Sequence, residues 1–96
     1  MDASQESTLT YALLTEPARV GICRALLEAG DEGVPAADLA ASLGLSLPRA
    51  SRVFQELLQA DILALTVKDR RVVYSLKARR AVREALGYLD SSGLLS

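Results

Sequence analysis

The architecture of this chain depends on residues 43–58, which read LGLSLPRASRVFQELL. Gly44 can adopt the left-handed conformation that ends a helix. Ser46 is a good N-cap, because its hydroxyl can accept a hydrogen bond from a free backbone N–H in the first turn. Pro48 fits that first turn, where its missing N–H costs little. These residues predict a helix end, a tight turn and a second helix over residues 47–59.

The predicted second helix has two faces of different character. Apolar residues recur at helical spacing and form the face expected to be buried. They are Leu47, Ala50, Val53, Phe54, Leu57 and Leu58. The opposite face carries Arg49, Ser51, Arg52 and Gln55. Together with a short helix predicted over residues 35–42, this arrangement is typical of a DNA-binding helix-turn-helix.

Charge is distributed unevenly along the chain. The 96 residues have a formal net charge of −1. Residues 1–45 contain two arginines against seven acids, a net of −5, whereas residues 46–80 contain eight basic residues against three acids, a net of +5. This asymmetry favours a polyanionic partner. The alternative is that the basic residues only solvate a surface.

The composition limits the class of protein. At this length we expect a single domain, residues 1–96. One cysteine can form no intrachain disulfide, and no apolar run approaches the length of a membrane span, so we expect a cytoplasmic protein. There is no histidine and no glycine-rich phosphate loop, so no nucleophile–base pair can be assembled. We therefore expect neither an enzyme nor a cofactor.

Two helices are predicted before the helix-turn-helix. Residues 6–14 have a short apolar face. Pro17 suits the first turn of a second helix that runs to about Ala29. This helix is apolar on two sides, so we expect it to lie sandwiched between other elements.

Two β-branched and aromatic runs follow the helix-turn-helix, over residues 62–67 and 72–76, and predict a β-hairpin. The polar residues between them contain neither Asn-Gly nor Asp-Gly, so we expect a turn of more than two residues. A last helix is predicted over residues 77–89, with an apolar stripe of alternating small and large side chains. We expect this stripe to pack against a second subunit, together with the first helix; the alternative is that it folds back on its own domain.

In this order the elements form a winged helix-turn-helix, mainly α with a β-hairpin wing, over about residues 35–76. The chain resembles the ArsR-type (arsenic-repressor) family of winged-helix transcriptional regulators over about residues 9–89. The resemblance rests on Glu16-Pro17-Ala18-Arg19-Val20, Asp38-Leu39-Ala40 with Leu43-Gly44-Leu45-Ser46, Pro48 with Ser51-Arg52, Leu57 with Ala60 and Ile62-Leu63, and Val73-Tyr74-Ser75-Leu76.

The resemblance implies a homodimer that binds an inverted repeat in double-stranded DNA and is released by an effector. Arginine can pair with guanine through two donors, serine and glutamine can bond base edges or phosphates, and wing cations can neutralise phosphate. The implied DNA-facing residues are Ser46, Leu47, Arg49, Ser51, Arg52 and Gln55 on the second helix, with Lys68, Arg70 and Arg71 in the wing. The alternative is a winged-helix protein-interaction module that has lost DNA binding.

The chain departs from the family pattern at several positions. Leu47 and Val53 stand where many members have glutamine and histidine, so Leu47 either meets a thymine methyl group or points inward. Asp61 replaces a frequent glycine, and aspartate tolerates left-handed geometry. The cysteine pair and the histidines of the family's metal sensors are missing, so no metal site is expected. Cys23 is either a small buried hydrophobic residue or a redox or effector-sensing thiol.

Overall fold

The computed structural model describes residues 16–92 of the chain. The described elements, in chain order, are α1 (Pro17–Ala29), a 3₁₀ turn (Gly30–Glu32), β1 (Val34–Pro35), α2 (Ala36–Ser42), α3 (Leu47–Gln59), β2 (Leu63–Lys68), β3 (Arg71–Leu76) and α4 (Arg79–Ser92). The predicted winged helix-turn-helix is thereby confirmed. The helix predicted over residues 6–14 lies outside the described residues.

Helix α1 is the central element of the core. It begins at Pro17, as predicted, and contacts α3, α4 and β3. Its side chains Val20, Ile22, Cys23 and Leu26 are all buried. A helix that is apolar on two sides has to be covered on both, and this confirms its predicted sandwiched position.

The sheet has one strand more than the sequence predicted. Its three strands are antiparallel in the order β1-β3-β2, with Val34 opposite Tyr74 and Pro35 opposite Val73. Pro35 was expected to begin a helix, but α2 begins one residue later. Gly33 enters this strand with φ 75°, and a Cβ at that position would overlap the Tyr74 carbonyl oxygen. Glycine therefore permits the close approach of β1 to β3.

The link between α3 and the wing is a tight helix end. Asp61 has φ 63°, so the expected left-handed aspartate is confirmed. The Asp61 N–H donates to the Leu58 carbonyl and the Ile62 N–H to the Leu57 carbonyl, both at 3.0 Å. This pair of hydrogen bonds is the Schellman pattern. It directs the chain from α3 into β2 through a link of only three residues, 60–62.

The apolar stripe of α4 is covered by its own chain. Val82, Ala85, Leu86 and Leu89 are all buried in the core, and α4 contacts α1. The prediction that this stripe packs against a second subunit is therefore wrong for these four side chains. Helical periodicity identifies which face is apolar, but it carries no information on which chain covers that face.

Candidate nucleic-acid interface

The turn between α2 and α3 is built by backbone hydrogen bonds. The Gly44 N–H donates to the Ala41 carbonyl at 3.2 Å, and the Leu45 N–H donates to the Ala40 carbonyl at 3.0 Å. Gly44 has φ 66°, which is the left-handed conformation expected after a helix end. The sequence prediction for this turn is confirmed. The short turn places the start of α3 close to the end of α2.

Helix α3 is capped at its first turn and anchored through its apolar face. The Ser46 hydroxyl accepts a hydrogen bond from the Arg49 backbone N–H at 3.3 Å, so the predicted N-cap is confirmed. Ala50, Val53, Phe54 and Leu57 are buried. The Phe54 and Tyr74 rings lie 4.5 Å apart between centroids. The tilted contact between these rings joins α3 to the wing.

The polar face of α3 is exposed. Its residues are Ser46, Arg49, Ser51, Arg52 and Gln55, and all five are open to solvent. Leu47 is 66% exposed, so its placement in the buried stripe is wrong. It is the first residue of the helix, one turn before the nearest buried side chain of α3, Ala50, and the core does not extend to it. Leu47 therefore belongs to the exposed surface.

The wing ends in a two-residue turn. Lys68 pairs with Arg71 across the hairpin, which leaves Asp69 and Arg70 as the turn, with φ 51° and 66°. Two consecutive positive φ angles are the mark of a type I′ turn. The predicted longer turn is therefore wrong. The strand pairing continues to the tip of the hairpin, although neither turn residue is a glycine.

The three wing cations have different surroundings. The Lys68 ammonium donates to the Glu32 carbonyl at 3.4 Å. The Arg71 guanidinium lies 3.3 Å from the Asp38 carboxylate of α2. Arg70 is exposed and forms no ion pair with any residue of the described chain.

The two arginines of α3 also differ in their ion-pair partners. Arg49 Nη2 lies 3.9 Å from Glu16 Oε1, and Glu16 also lies 3.3 Å from Arg19. Arg52 forms no ion pair within residues 16–92. Arg19 in turn lies 2.6 Å from Glu56, and this pair ties α1 to α3.

Sequence reasoning missed the acids that meet these arginines. Arg71 and Asp38 are 33 residues apart along the chain. No local spacing rule connects residues at that separation. The only signal in the sequence was the acidic first half beside the basic stretch.

Cys23 is fully buried on α1. Burial raises the pKa of its thiol from 9.0 to about 12, because the charged thiolate is poorly solvated in an apolar core. The thiol is therefore protonated at neutral pH, which favours the hydrophobic role over the redox role.

Within residues 16–92, no group of three or more metal-ligating side chains comes together. No helix in that range combines the length and the apolarity that a membrane crossing requires.

The family comparison agrees with this geometry. Residues 14–66 match the family described as "Helix-turn-helix domain", which is more than half of the 96 residues. The chain belongs to this helix-turn-helix domain family. No curated protein sequence matches it significantly.

Solved structures show the same winged helix-turn-helix fold. The homodimeric winged helix-turn-helix DNA-binding domain Mb0332 from Mycobacterium bovis has a TM-score of 0.75 and 17% identity, covering 95% of this chain and 82% of that one. HlyU from Vibrio cholerae N16961 has a TM-score of 0.75 and 16% identity, covering 95% and 97%. The cadmium metal-sensor CMTR from Mycobacterium tuberculosis has a TM-score of 0.62 and 33% identity, covering 81% and 76%.

Proposed function

We propose that this winged helix-turn-helix protein is a sequence-specific DNA-binding transcriptional regulator of the ArsR type, and that it acts as a homodimeric repressor released by an effector. The observation that carries the proposal is the exposed face of α3, where Arg49, Ser51, Arg52 and Gln55 stand outside the core. A helix that follows a tight turn and presents such side chains fits the major groove.

Each exposed side chain has a role in this proposal. Arg49 and Arg52 pair with guanine or with phosphate, and Ser46, Ser51 and Gln55 bond base edges or phosphate oxygens. Leu47, which is exposed, meets a thymine methyl group. In the wing, Lys68, Arg70 and Arg71 neutralise phosphates beside the groove.

The similarity to Mb0332 supports two components of the proposal, DNA binding and homodimer formation. That protein is described as a homodimeric DNA-binding domain and a possible ArsR-family transcriptional regulator. In a two-fold dimer the two α3 helices would reach successive major grooves, about 34 Å apart, which requires an inverted repeat.

The effector in this proposal is not a soft metal ion. CMTR is described as a cadmium sensor, and soft ions such as cadmium favour thiolate ligands. This chain has one cysteine and no histidine, and Cys23 is buried and protonated. A small molecule or a protein is the better candidate for the effector.

The test is binding to a labelled duplex from the protein's own promoter region, measured by fluorescence anisotropy over a salt series. Each phosphate contact adds about −0.9 to the slope of log K against log salt concentration. We expect Arg52→Ala to weaken binding and to make the slope shallower by about two contacts, one from each subunit of the dimer. Arg83→Ala removes an exposed arginine of α4 and is the matched control. A slope of log K against log salt concentration near zero for the wild type would favour the protein-interaction alternative. An Arg49→Ala, Arg52→Ala double variant that keeps the biological function of the wild type would favour it as well.

A further inference from the structure

Acids from other elements reach the basic surface of α3 and the wing. Glu16, the N-cap residue of α1, lies beside Arg49, and Asp38, in the first turn of α2, lies beside Arg71. We propose that these two carboxylates compete with DNA phosphates for Arg49 and Arg71, and thereby set the affinity and its salt dependence. This inference rests on the proposed DNA-binding function.

Both pairs are weak enough for a phosphate to displace. Arg71 Nη2 approaches one Asp38 oxygen at 3.3 Å, and the two side chains are 54% and 60% exposed. Arg49 and Glu16 are 3.9 Å apart, which exceeds hydrogen-bond length, and their side chains are 60% and 42% exposed. Exposed pairs with a single contact contribute little to stability, so breaking them leaves the fold intact.

The acids stay in place when the arginines turn to DNA. Glu16 is also 3.3 Å from Arg19, so it keeps one cation when Arg49 leaves. Asp38 lies in the first turn of α2, so the helix backbone fixes its position. Each acid therefore stays beside its arginine and competes with an incoming phosphate for it. Arg52 and Arg70 form no ion pair within residues 16–92 and meet no such competition from an acid in that range.

The experiment uses the isosteric variants Asp38→Asn and Glu16→Gln in the full chain. The probe is a mixed-sequence duplex of about 30 base pairs, which spans more than two turns of 10.5 base pairs, because phosphate contacts do not depend on sequence. We expect each variant to lower the dissociation constant about two- to fivefold, the range of an exposed ion pair. The salt slope should become steeper.

Two controls separate competition from a general charge effect. Asp90→Asn removes an acid that pairs with Arg24 between α1 and α4, and it should leave the dissociation constant unchanged at physiological salt, where charges beyond about 8 Å are screened. In an Arg71→Ala background, Asp38→Asn should give no further gain. Circular dichroism melts of all variants confirm that the fold is retained.

Four results would overturn the inference: no change in the acid variants, weaker binding by Asp38→Asn, an equal gain from Asp90→Asn, or a gain from Asp38→Asn that survives Arg71→Ala. If the wild type binds with a clear salt slope that Arg52→Ala reduces, and the acid variants change nothing, only this inference fails. If the wild type shows no salt-dependent binding, the proposed function fails with it.

Discussion

Replacing Arg70 with glycine is expected to stabilise the fold and to weaken DNA binding at the same time. Arg70 is the second residue of the type I′ turn at the wing tip and has φ 66°. Glycine is the residue that this position favours, because it lacks the Cβ that makes left-handed geometry unfavourable. Arg70 is also an exposed wing cation that has neither an ion pair nor a side-chain hydrogen bond among residues 16–92. Its side chain is therefore free to meet a phosphate.

The two effects can be estimated separately. Left-handed geometry costs a non-glycine residue roughly 1–2 kcal/mol, and the extra entropy of an unfolded glycine offsets about 0.5–1 kcal/mol of the gain. The net stabilisation lies between about 0 and 1.5 kcal/mol, and its midpoint of about 0.75 kcal/mol raises Tm by about 3–6 °C for a domain of this size. Loss of one phosphate contact from each subunit of the dimer makes the salt slope shallower by about 1.8.

Thermal melts followed by circular dichroism measure the first effect, and anisotropy over a salt series measures the second. Asp69→Gly is the matched control, since Asp69 has φ 51° in the same turn. That variant should also gain stability, but it removes an acid and should not weaken binding. An unchanged salt slope in Arg70→Gly would refute the phosphate contact. A lower Tm would refute the strain argument.

Three further predictions concern the fold that supports the interface. Gly33→Ala should lower the free energy of unfolding about 1–3 kcal/mol more than Gly30→Ala does in urea melts. Both glycines have positive φ, but only at Gly33 would a Cβ overlap the Tyr74 carbonyl. Equal losses in the two variants would contradict this explanation. Ser46→Ala should lower the free energy of unfolding by about 1 kcal/mol through loss of the N-cap. Ser51→Ala, within the exposed face of the same helix, should lower it less. Equal unfolding free energies for the two variants would argue against capping. Cys23 should resist thiol reagents at neutral pH until the chain unfolds. Because its pKa rises from 9.0 to about 12 on folding, its contribution to stability is complete below pH 9 and is lost as the pH rises towards 12. Cys23→Ala should remove that part of the pH dependence, and rapid labelling of the folded wild type would count against burial.

The features that the sequence predicted well are local. The left-handed Gly44, the Ser46 cap and the left-handed Asp61 each depend on hydrogen bonds within about one helical turn. The apolar and polar faces of α3 follow from a 3.6-residue period. Turn propensity alone predicts too long a wing turn, because it takes no account of the strand pairing, which runs through Lys68 and Arg71 to the tip.

By itself the sequence predicted α1 to α4, the two strands of the hairpin, and the buried and exposed faces of α3 except at Leu47. The tertiary structure alone decided that β1 joins the sheet, that α4 is covered by its own chain, and that Glu16 and Asp38 stand beside Arg49 and Arg71. The physical reason is distance along the chain. Periodicity and capping act over a few residues, whereas the partner of an apolar face or of an exposed charge is set only when remote segments pack together.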